Sequence, residues 1–369
     1  MNLNYSLITT EQDLLDVCSK IILSDHVAVD TEFKRETTYF PIPCLIQLAT
    51  PELTVCIDPQ EITNLEPLKN ILSSPEITKI FHASRQDLEI FYFMFNEIVS
   101  PVFDTQVAAS ILGHTDQIGY ANLVKQVLNV ELDKSQTRTD WSKRPFTPQQ
   151  LAYAANDVIY LLQLYQIQMD ELSTSNKKDW PNEEFFKLYN ENLYKPDPEN
   201  AWKKIKNYQH LPLEQKKIAY KLSIWREHEA VKRNRPRKFV LSNAAMLDIA
   251  SKQPSSVDDL STLNDLNNFV IQRYGNQLIT LVNESKKLGA SNIPQAKHYE
   301  ILSIEEKKQI KQIQSLINDK ADEAKVSNSI IANRKELEKI IRGDREVDVL
   351  KGWRYELAGK EILKLVDNN

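Results

Sequence analysis

Through the first 170 residues, short apolar β-branched runs alternate with helix-length segments, and after residue 200 the alternation stops. A chain laid out this way must build a sheet early and pack helices late, which predicts a mixed α/β sheet domain followed by helical domains. Four runs read as strands: Val27–Phe33, which ends in carboxylates, Cys44–Leu48, Thr54–Asp58 and Ile77–His82. A helical pattern covers 84–95. Thr147-Pro148-Gln149-Gln150 opens another helix with a hydroxyl cap, proline at the first helical position and glutamine at the third, running to about Met169.

Charge divides the chain in the same place. Residues 1–170 carry 11 basic and 22 acidic side chains, a net of −11, whereas 201–245 carry 12 basic and 3 acidic, a net of +9. The whole chain of 369 residues sums to −5, which excludes a uniformly basic nucleic-acid glove and fits two or three domains. Only 7 residues are glycine, so no Gly-rich phosphate loop or dinucleotide fingerprint can be assembled. Three cysteines, Cys18, Cys44 and Cys56, lack metal-ligand spacing and read as ordinary core thiols of a reducing compartment. The N-terminus lacks a signal-peptide pattern and no run of about 18 apolar residues exists, so a cytoplasmic protein with no membrane partner is expected. The expected layout is a sheet domain over 1–173, a connector over 174–207, a helical module over 208–290 and a second helical module over 295–369.

The carboxylates carry the chemistry. Asp30 and Glu32 stand two apart on a strand and leave the same face, where like charges repel unless a hard divalent cation sits between them. Alone, such a pair is more often a solvated strand end. Asp87 falls near the start of the helix after the fourth strand, where a carboxylate can simply face the helix dipole. Tyr153 and Asp157 lie four apart on one helix face, beside an apolar stripe of Leu151, Ala154, Val158, Leu161 and Leu162. By itself that pair is a packed phenol and a surface acid.

In order and in context the set says more. Asp-x-Glu on a strand, Asp early in a later helix and Tyr-x3-Asp on a third element resemble the tyrosine-bearing subgroup of the DEDD 3′→5′ exonuclease superfamily. The flanks Val29-Asp30-Thr31-Glu32-Phe33, Cys44-Leu45-Ile46-Gln47-Leu48, Phe103-Asp104-Thr105-Gln106 and Tyr153-Ala154-Ala155-Asn156-Asp157 look very like ribonuclease D. The resemblance covers about residues 5–170 and continues into a C-terminal part similar to the helicase-and-ribonuclease-D C-terminal module. It implies a ribonuclease H-like mixed-sheet exonuclease domain followed by two small all-α domains.

It also implies roles. Phosphodiester hydrolysis needs a deprotonated water, stabilisation of extra negative charge and help for the leaving oxygen, which two Mg²⁺ or Mn²⁺ ions about 3.5–4 Å apart can supply. By resemblance Asp30 bridges both ions, Glu32 and Asp157 complete the site of the attacking water, and Asp87 serves the second ion through water. Tyr153 orients the water; with a reference pKa of about 10 its phenolate is a poor candidate for the base. Phe33 borders the terminal nucleotide or only packs. From the residues themselves, Gln47 can meet a ribose or only a buried backbone group, and His82 and Arg85, which border Asp87, can meet phosphate. Trp141 stacks a base or is buried.

The second region holds Lys232-Arg233-Asn234-Arg235-Pro236-Arg237-Lys238, five positive charges in seven residues. Lys232, Arg233, Arg235, Arg237 and Lys238 are a solvated loop or a phosphate-binding surface that adds affinity without sequence information. The third block is charged in both signs and suits packing better than RNA. One departure from the family is Cys44, standing where a glycine is expected before Leu45-Ile46-Gln47. The expected activity is a monomeric, metal-dependent 3′→5′ exoribonuclease that releases nucleoside 5′-monophosphates and trims structured RNA such as tRNA precursors. The alternatives are a DNA-directed exonuclease of the same chemistry and a non-catalytic RNA-binding scaffold.

Overall fold

The computed structural model describes residues 5–294 and 302–367. The chain begins β1 (Ser6–Ile8), α1 (Glu11–Ile21), β2 (His26–Lys34), β3 (Ile42–Ala49), β4 (Thr54–Ile57), α2 (Glu66–Ser73), β5 (Thr78–Phe81), α3 (Arg85–Phe95) and β6 (Val102–Asp104). α4 (Thr105–Ile111), α5 (Tyr120–Leu128), α6 (Pro148–Ser173) and α7 (Trp180–Lys187) follow. The strands form one six-stranded sheet in the order β1-β4-β3-β2-β5-β6. Pairings β1/β4, β2/β5 and β5/β6 are parallel, while β3/β4 is antiparallel, so the sheet is mixed as expected. Val27, Ala28 and Val29 are all buried, which is why β2 sits inside the sheet with both faces covered.

The four expected strands form, and β1 and β6 are added at the edges. At three residues each they are too short to carry a period-2 signal, and only pairing to β4 and β5 makes them strands. The α6 capping box forms as read: Gln150 N donates to Thr147 Oγ1 at 3.2 Å and Thr147 N to Gln150 Oε1 at 2.9 Å. The helix continues past Met169 to Ser173 because Gln168 and Leu172 extend its buried stripe. Val158 and Leu161 pack in one cluster with Ala28, Ala49 and Ile80, where the two sheet alanines leave room for a close helix.

The chain separates into two compact units. Among the described residues the first holds 5–34, 43–191 and 302–367, and the second holds 35–42 and 192–294. The partition differs from the charge-based boundaries. Residues 174–191, expected in a connector, belong to the first unit, and Phe185 of α7 lies in its core against Phe103. The expected start of the third block, residue 295, lies outside the described residues. The second unit comprises α8 (Leu213–Lys232), α9 (Arg237–Val240), α10 (Asn243–Lys252), α11 (Val257–Leu260) and α12 (Asn268–Lys286) around Ile218, Leu222, Trp225, Met246, Ile249 and Leu278. No helix among the described residues is long and apolar enough to cross a membrane. All three cysteines are buried thiols.

The third block, opened by α13 (Ile304–Ala324), is fastened to the sheet-bearing part of its unit by specific bonds. Lys177 is buried and its Nζ donates to Ile111 O at 2.9 Å, Ala324 O at 3.2 Å and Lys325 O at 3.0 Å, joining the C-terminal ends of α4 and α13. A cation at two helix C-termini meets carbonyls that have no intrahelical partner. Gly113, at φ +95°, lets Lys325 O approach to where a Cβ would lie only 3.0 Å away. Trp180 stacks on Trp353 with centroids 4.3 Å apart, and Arg354 pairs with Glu184. Lys177→Met is expected to lower stability by about 3 kcal/mol, since it strands buried carbonyls that met a charged donor. Thermal unfolding, with hydrogen exchange over 302–367, measures this; an unchanged melting temperature would show that apolar contacts alone hold the block.

Candidate active site

Period-2 alternation along β2 sends Ala28, Asp30 and Glu32 to one face, and Ala28 packs toward α6. Asp157 rises from α6 one turn after Tyr153. One carboxylate oxygen each from Asp30, Glu32 and Asp157 lie within 4.8 Å of one another, a group able to hold a metal ion. Asp87 stands outside this group but beside it, in the first turn of α3, which follows the neighbouring strand β5. The hydroxyl of Thr31, the residue between Asp30 and Glu32, donates to Asp87 Oδ1 at 2.5 Å.

Asp104 sets where α3 begins. Its Oδ1 accepts from Ala83 N at 3.1 Å and from Gln106 N at 2.9 Å, and its Oδ2 accepts from Ser84 N and Ser84 Oγ, each at 2.8 Å. Ala83 has φ +57°, a left-handed conformation costly for a residue with a Cβ, and the Asp104 bonds hold it there. One carboxylate therefore caps α4 and fixes the turn that delivers Asp87.

Burial is the main force on the four acids. It pushes Asp87 and Asp157 to about 7, with Thr31 and Tyr153 respectively donating hydrogen bonds that partly oppose the rise. Burial first, then the charges of Asp157 and Asp87, lifts Glu32 to about 9. Asp30 is driven well above the ordinary carboxylate range by burial and then by Asp87, Asp157 and Glu32. Tyr153 is also raised, by burial and then Asp157, so it stays a phenol. Tyr120 lines the same cleft: it is half-buried, and its hydroxyl donates to the backbone carbonyl of Asp157 at 2.5 Å.

These donors suit a hard divalent cation. All are carboxylate oxygens with no nitrogen or sulfur among them, and buried acids this close favour the ionised form only when a positive charge joins them. A cleft of about 300 Å³ opens at Tyr153 and Asp157, lined also by Gly119, Tyr120, Asn122, Lys134 and Thr137.

The other candidate residues lie in varied settings. Phe33 is half-buried on β2 next to Glu32, and Arg85 opens α3 two residues before Asp87. Gln47 is fully buried and neither amide atom has a partner, so it meets neither a ribose nor a backbone group. His82 has both ring nitrogens engaged at 2.9 Å, with Thr105 Oγ1 and Ile118 O, which leaves neither for phosphate; it braces the β5 end instead. Trp141 is buried, the packing alternative. Lys232, Arg233, Arg235, Arg237 and Lys238 belong to the second unit. There Arg237 pairs with Glu227 and donates to Tyr39 Oη at 2.9 Å, Arg233 pairs with Glu229, and Arg235 Nη1 reaches Thr37 O at 3.4 Å. Lys232 and Lys238 are exposed.

Sequence reasoning missed Asp104 and Tyr120 as site builders. Asp104 does have a local signal, an Asp directly before a helical Thr-Gln start, which is an N-cap pattern. Nothing local marks Tyr120, which meets Asp157 across 37 residues.

Comparison with known proteins places these features in a family. Residues 5–173 match the model of a 3′-5′ exonuclease domain, and 215–282 match that of an HRDC domain. The chain is 36% identical to ribonuclease D of Bartonella henselae over 365 residues, 98% of this chain and 89% of the relative. It is also 36% identical to ribonuclease D of Jannaschia sp. over 98% of this chain and 95% of that one. The crystal structure of Escherichia coli RNase D, described as an exoribonuclease involved in structured RNA processing, superposes with a TM-score of 0.89 at 33% identity and covers 99% of both chains.

The raised acids dictate how the metal-free protein responds to pH. Unfolded carboxyls lose their protons near 4, whereas Asp87 and Asp157 keep theirs to about 7 and Glu32 to about 9. Between those values the folded state binds more protons, so its stability falls as pH rises from about 4 to about 9. In EDTA the melting temperature should drop across that window, and Mn²⁺ at pH 8 should restore it. Asp30→Asn should raise the EDTA value at pH 8 and abolish the Mn²⁺ response, as read by calorimetry.

Proposed function

The chain belongs to the ribonuclease D family and is a 3′→5′ exoribonuclease, and from that premise we propose that it removes nucleoside 5′-monophosphates from RNA 3′ ends by two-metal-ion hydrolysis at Asp30, Glu32, Asp87 and Asp157. The observation that carries this reading is the approach of the Asp30, Glu32 and Asp157 oxygens to within 4.8 Å of one another, with Asp87 tied alongside through Thr31. The chemistry a divalent cation held by these residues would supply is a lowered pKa for bound water and offset of the charge on the phosphate and the leaving oxygen. Asp30, Glu32 and Asp157 would hold one ion, and Asp30, with Asp87 acting through water, would serve the second. Tyr153 stays protonated and orients the attacking water by a hydrogen bond, while its own bond to Asp157 keeps the hydroxyl at the site. The cleft beside Tyr153 receives the terminal nucleotide, with Phe33, next to Glu32, and Arg85, two residues before Asp87, as its further contacts in this reading.

The natural substrates in this proposal are structured RNAs such as tRNA precursors, handled by a cytoplasmic monomer. Lys232 and Lys238 of the HRDC-matching unit add affinity for the RNA backbone, with Arg233, Arg235 and Arg237 shaping that loop. Residues 1–173 form the exonuclease domain in this reading, with helical modules over 208–290 and 295–369.

A time course on 5′-labelled RNA with a 3′ overhang, in Mn²⁺, Mg²⁺ or EDTA, tests the reading. A metal-dependent ladder that shortens one nucleotide at a time and is blocked by a 3′-phosphate is expected. Matched DNA should be cut more slowly, because the 2′-hydroxyl distinguishes the two. Asp30→Ala should reduce turnover to background with the fold intact by circular dichroism. Unchanged activity in that variant would sink the site, and RNA binding without shortening would favour a scaffold.

A further inference from the structure

The turn from Asp140 to Phe146 is pinned to the ends of three strands of the carboxylate-bearing sheet. Lys34, two residues past Glu32 at the end of β2, places Nζ 3.2 Å from Asp140 Oδ1, and that same oxygen accepts from Ser142 N at 3.2 Å and Ser142 Oγ at 2.6 Å. Arg144 Nη2 donates to Cys44 O on β3 at 2.9 Å and to Oδ1 of Asp58, the residue after β4, at 2.7 Å. Its Nε donates to the other Asp58 oxygen, its Nη1 to Trp141 O at 2.8 Å, and its guanidinium carbon lies 3.9 Å from the Phe146 ring centre. Asp58 is 1% exposed, so this bidentate pair is shielded on its acidic side.

The clamp ends on Tyr153. Trp141, 4% exposed, has its ring centre 6.1 Å from that of Tyr153 and 6.1 Å from that of Phe146, and all three share a cluster with Cys44, Leu45 and Ala154. A neutral phenol cannot be steered by charge. Its aim depends on its hydrogen bonds with Asp157 and Thr137 and on what its ring leans against, and that surface is an indole whose backbone carbonyl Arg144 grips.

We propose that Arg144, held by Asp58 and acting through Trp141, is a positioning residue for Tyr153, so that the Asp140–Phe146 turn sets the chemical step as well as the fold. The inference rests on Tyr153 orienting the attacking water. A purely structural clamp would lower stability or RNA affinity without acting through Tyr153, and a double-mutant cycle separates the two.

The cycle uses the full chain, 5′-labelled RNA and saturating Mn²⁺, with kcat and KM measured for wild type, Arg144→Lys, Tyr153→Phe and the double variant. Arg144→Lys keeps the charge but loses the fork; it should lower kcat by roughly 10-fold, as a small misplacement of a reacting group does. KM should stay within about 2-fold, because binding is not what the clamp sets. In the Tyr153→Phe background the same change should cost little more, since both substitutions remove one effect. Trp141→Phe gives the same readout with the Arg144–Asp58 pair left in place, should Arg144→Lys fail to fold. Losses that multiply in the double variant, a loss confined to KM, or an unchanged kcat would overturn the inference while leaving the role of Tyr153 standing. Full kcat in Tyr153→Phe alone would overturn both.

Discussion

Four carboxylates gathered at one end of a sheet repel one another, and much of the first unit is arranged to hold them there. Burial pushes every one of them toward the protonated state, and for Asp30 and Glu32 the charges of their neighbouring acids add to it. The fold opposes this with directed bonds rather than with countercharge. Thr31 reaches across to Asp87, Tyr153 donates to Asp157, and Asp104 fixes the left-handed Ala83 turn from which α3 departs. Because β2 lies inside the sheet and α6 packs over it, the backbone segments that carry Asp30, Glu32 and Asp157 are fixed by the core.

Among the described residues of that unit, the buried cations Lys79, Lys177 and Arg354 and the half-buried Arg144 are committed elsewhere. Lys79, lowered to about 7 by burial, donates to Ser74 O at 2.7 Å and Ser100 O at 2.5 Å. Lys177 caps two helix ends, Arg354 pairs with Glu184, and Arg144 with Asp58. Each ties loops or blocks together, and none is bonded to the four acids. These four cations thus leave the acids of the site to other partners, and divalent ions are the ones a metal-dependent nuclease requires. An acidic sheet domain and RNA chemistry are compatible for the same reason.

Some of this was legible in the order of residues because it depends on short-range periodicity. Alternation placed Asp30 and Glu32 on one face, the Thr147–Gln150 box marked where α6 starts, and four-residue spacing put Tyr153 and Asp157 on one side of it. Gln47 and His82 show where that reasoning stops. Both sit in motifs that look functional, yet one is buried without a partner and the other is consumed by Thr105 and Ile118, contacts no local pattern encodes. The basic run 232–238 reads as five available charges, but two of its arginines are paired to Glu227 and Glu229 on the preceding helix.

By itself, then, the sequence determined the sheet-then-helix order, the kinds of ligand and the spacing that lets them share faces, since these follow from periods of 2 and 3.6 residues and from side-chain chemistry. Only the tertiary structure decided that Asp104 delivers Asp87, that Tyr120 backs Asp157 and that the Asp140–Phe146 turn meets Tyr153. It alone placed residues 302–367 with the sheet rather than with the other helices. Those outcomes depend on contacts between residues far apart in the chain, whose energies come from burial and from bonds to backbone carbonyls that every residue type presents alike.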